Sequence, residues 1–183
     1  MTRLDRLISD VSGASRLDAE LSRMAPERVE VVPILHALQE LDAATRDEAN
    51  DPHVEVDAPA SGLAVLAVED RLVQVLRNLV TNAQSFSPPR GRITLRAREA
   101  GGMVEISVED DGPGIPEGNI EHIFDRFYSE RPKGEKFGQH SGLGLSISRQ
   151  IVEALRGQIS GENRRDARGK VVGARFVIRL PKA

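Results

Sequence analysis

The chain has 183 residues, with 25 Lys and Arg against 28 Asp and Glu, a formal net charge of −3. It carries no Cys and no Trp, which excludes disulfides, zinc–cysteine sites, iron–sulfur clusters and thiol catalysis; with the charge near balance, nothing global argues for a nucleic-acid or membrane-surface partner. An apolar share of 39% supports an ordinary core, and the length allows one domain, or one domain plus a short appended element.

Residues 3–23 place Leu4, Leu7, Val11, Ala14, Leu17 and Leu21 on one narrow seam, a heptad-like pattern that predicts a helix needing a partner helix. Pro26 marks a boundary. Residues 30–48 predict a second helix, with Ile34, Leu35, Leu38 and Leu41 on one side and Pro33 in its first turn. Asn50-Asp51-Pro52 breaks it. His53–Asp57 alternates weakly as a strand. Leu63–Val68 lies in an uncharged apolar run of about ten residues, too short for the ~20 a membrane span requires.

Asp70 then precedes a strong helix, residues 71–85, with Leu72, Val75, Leu76, Leu79 and Val80 facing inward. Residues 92–98 and 103–109 alternate as two strands joined at Gly101-Gly102, a hairpin. Residues 111–141 are loop-rich, residues 143–156 return to helix, and residues 171–180 close the chain as a strand. This order argues for an α+β sandwich with helices on one face of a mixed sheet. Four of the six aromatic residues, Phe124, Phe127, Tyr128 and Phe137, fall within 14 positions of the loop-rich stretch.

Three segments carry possible chemistry. Asp110-Asp111-Gly112-Pro113-Gly114-Ile115-Pro116 ends a strand; its glycines permit close backbone approach, and a strand-end Asp can accept from an amino group. Taken alone, it is equally a solvated Gly-Pro turn. His140-Ser141-Gly142-Leu143-Gly144-Leu145 opens a helix and offers unpaired N–H groups to an anion, although a loop–helix junction also wants small residues. No Gly-Lys-Ser/Thr follows, so it is not a Walker A loop. Asn78 and Asn82 share a face one helical turn apart. Their carboxamide oxygens suit Mg²⁺ completed by substrate phosphates, against an ordinary capping or buried role for either one.

In this order, Asn-x-x-x-Asn, Asp-x-Gly-x-Gly and Gly-x-Gly-Leu resemble the N, G1 and G2 boxes of the GHKL nucleotide-binding superfamily. Ile123–Tyr128 resembles the F box of bacterial sensor histidine kinases, and the match spans about residues 30–180. The segments Asn-Ala-Gln-Ser-Phe-Ser-Pro and Ser-Gly-Leu-Gly-Leu-Ser-Ile-Ser-Arg-Gln are similar to the ChvG/ExoS type of sensor kinase. The resemblance implies the Bergerat two-layer sandwich over residues 26–183 and ATP with Mg²⁺ as cofactors. Residues 1–25 would be the second helix of a dimerisation and phosphotransfer hairpin whose first helix is absent.

The resemblance also assigns roles. Asp110 would read the adenine amino group, Gly112 and Gly114 would shape the pocket, and Ile115 and Phe86 would lie against the base. Asn82 would ligate Mg²⁺ with indirect support from Asn78. Ser141, Gly142, Leu143, Gly144 and Leu145 would line the phosphate end. Tyr128 through Ser141 would form a lid, and the rings of the F box would anchor its base. On this reading five of the six rings surround one nucleotide, and Phe176 stands apart.

Two positions depart from the pattern. Ser85 occupies a place where a basic residue is frequent, so Arg126, Arg131, Lys133 or Lys136 would substitute for the phosphate contact, although for either lysine a solvated loop charge is the favoured reading. His140 replaces a frequent glycine. Asn78 stands where hydrolysing relatives usually carry Glu, and a carboxamide is no general base at neutral pH. Phosphoryl transfer to an external acceptor is therefore favoured over hydrolysis.

None of His36, His53, His122 or His140 has the His-Glu/Asp-x-x-x-Pro setting of an acceptor, so the acceptor would come from another helix. The implied partners are that helix, a homodimer partner and a response regulator. The implied location is the cytoplasmic portion of an inner-membrane-anchored sensor, without membrane or nucleic-acid contact by these residues. A Ser/Thr kinase of the anti-sigma-factor type and a degenerate nucleotide-binding or docking module are the alternatives.

Overall fold

A computed structural model describes residues 25–126, 128 and 143–183. The seam of residues 3–23 lies outside them. The elements run β1 (Glu27–Glu30), α1 (Val31–Thr45), β2 (His53–Asp57), β3 (Ala64–Ala67), α2 (Glu69–Phe86), β4 (Arg92–Ala100), β5 (Met103–Asp110), a 3₁₀ turn (Glu117–Asn119), α3 (Gly144–Ala154), β6 (Gln158–Arg165) and β7 (Val171–Pro181).

Five strands form a mixed sheet in the order β2-β4-β5-β7-β6, with β2 parallel to β4 and every other pair antiparallel. β1 and β3 pair separately as a small antiparallel ribbon. The three helices of the described residues lie on one face of the five-stranded sheet, as the chain order predicts. Among the described residues no helix is long and apolar enough to cross a membrane.

The core forms where two periodicities meet. Leu72, Val75, Leu76, Leu79, Val80 and Ala83 recur at helical spacing and are buried on α2. They face Ile93, Leu95, Val104, Ile106 and Val108, which recur at every second position of β4 and β5. At about 1.5–3 kcal/mol per buried aliphatic side chain, this contact is the main favourable contribution to folding.

Two strands depart from the sequence expectation. Residues 27–30 are β1, so the first described helix starts at Val31. Residues 158–165 are β6, an edge strand that sequence reading passes over. Its Gln-Ile-Ser-Gly-Glu-Asn-Arg-Arg is polar along most of its length, because an edge strand buries little of its outer face. α2 begins at Glu69, two residues earlier than expected, which places Glu69 and Asp70 inside its first turn where the helix dipole favours negative charge.

The opposite edge, β2, is held by α1. Buried Asp42 accepts the Val54 N–H at 3.1 Å through Oδ2 and the Gln84 side-chain amide at 2.8 Å through Oδ1. Gln39 Nε2 donates to Val54 O at 3.3 Å. Both polar groups of one edge residue are thereby satisfied without a further strand, which blunts the edge. Asp42→Ala leaves the Val54 N–H and the Gln84 amide unpaired, an expected loss of about 2–4 kcal/mol. Urea titration checks this as a lower midpoint at unchanged slope.

Candidate functional site

The inward face of β5 reads Val104, Ile106, Val108 and then Asp110. Alternation therefore delivers a carboxylate to the helix-facing side exactly where the strand ends, and Asp110 is only 2% exposed. Its Oδ1 accepts the Gly112 N–H at 2.8 Å and the Ala174 N–H at 3.1 Å. Neither bond engages Oδ2, the oxygen available to an amino group. Burial pushes this carboxyl above its ordinary value of 3.8, against the two N–H groups and the Arg164 charge, which pull it down.

The turn after Asp110 packs too closely for side chains. A Cβ on Gly112 would sit 2.7 Å from Phe86 O at the end of α2. Gly114 adopts φ +81°, a left-handed conformation that glycine tolerates at little steric cost. It lets the loop settle onto Val171 and Asn163. Ile115 is buried, and Asn163 grips its backbone from both sides: the Ile115 N–H donates to Oδ1 at 2.6 Å, and Nδ2 donates to Ile115 O at 2.7 Å.

At the other end of the site, Asn78 Nδ2 donates to Gly144 O and to Ser148 Oγ, each at 3.3 Å. Ser148 Oγ itself donates to Gly144 O at 2.8 Å. The N-box helix thus meets the first turn of α3 through a carboxamide, 66 residues away in sequence. This engages the Asn78 amide nitrogen and leaves its oxygen. Asn82, half-buried one turn further on, has a carboxamide without a partner among the described residues.

Leu143 is buried immediately before α3, Gly144 is its first residue, and Leu145 packs partly against the core. Phe86 is half-buried, and Ser85 Oγ donates to Thr81 O at 3.0 Å. Arg126 is exposed, while Tyr128 is half-buried with its N–H donating to Asp125 O at 3.2 Å. Lys133, Lys136, Ser141 and Gly142, with Phe127, Arg131, Phe137 and His140, lie outside the described residues.

The aromatic residues divide differently from the sequence expectation. Phe124 is buried and meets Phe176 edge-to-face, with ring centroids 6.3 Å apart. Phe176 therefore does not stand apart: it is the sheet-side partner of the first F-box ring, and Phe124 belongs to the hydrophobic core.

Sequence reading also missed Asn163, Arg164 and Ser148. The signal for Asn163 is the one that marks Asp110, a polar residue on the inward parity near a strand end. The polar run 158–165 carries no alternation from which that parity could be read.

The three described helices packed on a mixed five-stranded sheet constitute the α+β sandwich of the GHKL type. The chain belongs to the family described as Histidine kinase-, DNA gyrase B-, and HSP90-like ATPase, which it matches over residues 67–183. Within that family it is a histidine kinase ATPase catalytic domain, homologous to sensor kinases.

It is 45% identical over 185 residues to the sensor protein ChvG of Rhizobium meliloti, covering 98% of this chain and 32% of that protein. The chain spans about a third of the length of the curated relatives it matches. Among solved structures, the catalytic domain of the histidine kinase ThkA superposes with a TM-score of 0.71 at 30% identity, covering 87% of this chain and 97% of that one. ThkA in complex with the response regulator protein TrrA gives 0.71 at 26% identity, covering 98% and 49%. Full-length ShkA in complex with AMPPNP gives 0.72 at 28% identity, covering 98% and 36%.

Asp110→Asn isolates the cost of the buried charge. The Asn oxygen retains both backbone bonds while the charge is removed. Because the folded carboxyl titrates above 3.8, its contribution to stability is full below the unfolded value and is lost as pH rises through the folded one. The variant is therefore expected to match or exceed the parent by up to ~1 kcal/mol at pH 8. That advantage should vanish as pH falls through the raised value, where Asp110 is itself neutral. Urea midpoints across pH 4–8 read the difference.

Proposed function

We propose that this chain is the ATP- and Mg²⁺-dependent catalytic domain of a sensor histidine kinase, transferring the γ-phosphate to a His on a dimerisation helix. Residues 26–183 are the catalytic domain on this reading, and residues 1–25 the second helix of the dimerisation hairpin. The observation that carries it is the convergence on α2: Asn78 bonds the start of α3 at one point, and Phe86 O abuts Gly112 at another. Three sequence-distant boxes are thereby assembled along a single helix.

The residues suit the nucleotide. Asp110 Oδ2 is the acceptor for the adenine amino group, with Ile115 and Phe86 beside the base. The first turn of α3, an 11-residue helix, directs N–H groups and the positive end of its dipole toward phosphate. Among the described residues no three His, Asp or Glu side chains gather as a metal cage. The cation site on this reading is Asn82 and the phosphates themselves, the arrangement Mg²⁺ commonly accepts. Mg²⁺ supplies charge neutralisation at the transferring phosphoryl group.

A carboxamide at position 78, with its nitrogen donating to Gly144 and Ser148, is not placed to deprotonate water. This favours transfer over hydrolysis. Arg126 and the lid residues Tyr128, Lys133 and Lys136 complete the phosphate side, together with Ser141 and Gly142. The partners are a second copy of the full-length kinase, its acceptor helix and a response regulator, in the cytoplasmic portion of a membrane-anchored sensor.

The test supplies a dimeric hairpin bearing the acceptor His with γ-labelled ATP and Mg²⁺. Acid-labile label on the hairpin, abolished by EDTA, is the expected result. ATP binding without transfer would overturn the kinase reading, and acid-stable label would point to a hydroxyl acceptor. In the same assay Asp110→Asn should weaken ATP binding by roughly 10–100-fold, the value of a hydrogen bond to a charged acceptor.

A further inference from the structure

We infer that Asn163 is a positioning residue for nucleobase discrimination: its two bonds to Ile115 fix the pocket wall at a set distance from Asp110. The inference rests on the adenine site proposed above and names a residue outside the boxes that define it.

Asp110, Ala174 and Asn163 are neighbours on one inward row across three strands. β6 and β7 pair Asn163 with Ala174, and the Ala174 N–H donates to Asp110 Oδ1. The carboxylate and the carboxamide are thus separated only by a one-carbon side chain. With strands about 4.8 Å apart, the row holds them roughly 10 Å from each other.

The next residue, Arg164, points to the opposite face, as consecutive strand residues do. Its Nη1 donates to Asp110 O at 2.6 Å and to Asp111 Oδ1 at 3.0 Å. Two adjacent residues therefore hold both ends of the 110–115 turn, Arg164 at its start and Asn163 at its finish. The pairing of β6 and β7 shifts register between Arg164 and Arg165, a bulge. Bulges re-aim side chains and are frequent beside functional sites.

The Asn163 bonds are not interchangeable with simple packing. One carboxamide serves as both acceptor and donor to the backbone of a single residue, which fixes position and orientation together. Asn163→Asp keeps the volume and the acceptor but sets an oxygen against Ile115 O. The wall should then shift or loosen while the phosphate end, at Asn78 and Gly144, is left as it was.

The experiment compares the full chain and its N163D variant for ATP, inosine triphosphate and Mg²⁺-tripolyphosphate binding. Inosine triphosphate replaces the amino group that Asp110 reads with a carbonyl. The expected result is an ATP preference narrowed about tenfold in N163D, with tripolyphosphate affinity unchanged. N163S, which offers one bond at a time, should fall between the two and supplies the same comparison if N163D does not fold.

A variant that loses thermal stability yet keeps the parent's ATP-to-inosine-triphosphate ratio would show a merely structural role and overturn the inference. Asp110→Asn separates this from failure of the adenine site. If Asp110→Asn abolishes the preference while N163D keeps it, only the Asn163 role falls. If the parent shows no preference for ATP, both fall.

Discussion

The central strand ends by turning a carboxylate toward the helices, and much of the surrounding geometry follows from that constraint. A buried ionised group is costly unless it is hydrogen-bonded and partnered. Asp110 meets this with two backbone N–H groups on one oxygen and the Arg164 guanidinium on its own carbonyl. Each partner dictates a further feature. The Gly112 bond bends the chain back on itself, and the Ala174 bond draws β7 close. A Cβ on Gly173 would overlap the Asp110 carbonyl, so the strand carries glycine there and bulges beside it. Satisfying one oxygen twice leaves the other for a ligand.

α2 converts that local arrangement into a site of fixed span. Its apolar stripe is buried on the sheet, so its position is set by the core rather than by the residues it presents. From Asn78 to Phe86 is eight residues, about 12 Å at 1.5 Å per residue. The contact with α3 and the contact with the glycine turn are therefore held apart by a rigid element. Sites built on such elements keep their geometry better than sites built on loops alone. Asp42 adds to this, since it ties α1 and β2 to Gln84 on the same helix.

Much of the fold was legible because its core elements obey clean periodicities. The hairpin of β4 and β5, the α2 stripe and the closing strand β7 emerged with boundaries shifted by no more than two residues. The losses came where periodicity is physically weak. β1 is four residues long and half of a two-stranded ribbon. β6 is an edge strand whose polar residues alternate between solvent and the glycine turn rather than between solvent and core.

The candidate site was legible as motif, and its internal bonding was not. Nothing in Asn-x-x-x-Asn says that one amide nitrogen will serve Gly144 and Ser148, because those partners lie 66 and 70 residues away. The aromatic count misled in one respect. It treated Phe176 as an outlier, whereas an edge-to-face pair needs a ring on each side of the contact, and Phe176 is the ring that receives Phe124.

The two faces of the sheet also divide the electrostatics, which explains why the overall charge was uninformative. The outward face is a ladder of compensated ions. Glu105, nearly buried, is met by Arg98, Arg175 and Arg179. Arg175 continues to Glu109 and Glu162, and Arg96 joins Asp57 to Glu109. Burial raises the Glu105 carboxyl, but the Arg98 and Arg179 hydrogen bonds and charges outweigh it and hold it below its ordinary value. These arginines are committed to sheet carboxylates on the side away from α2 and α3. Around the candidate site the helix side, by contrast, presents carboxamides, the buried Asp110 carboxylate and the first turn of α3. A ligand with several negative charges would meet local dipoles there rather than the arginines of the outward face, which are already paired among the described residues. A net charge of −3 is compatible with binding such a ligand, because the field that matters acts over a few ångströms and is set by the backbone.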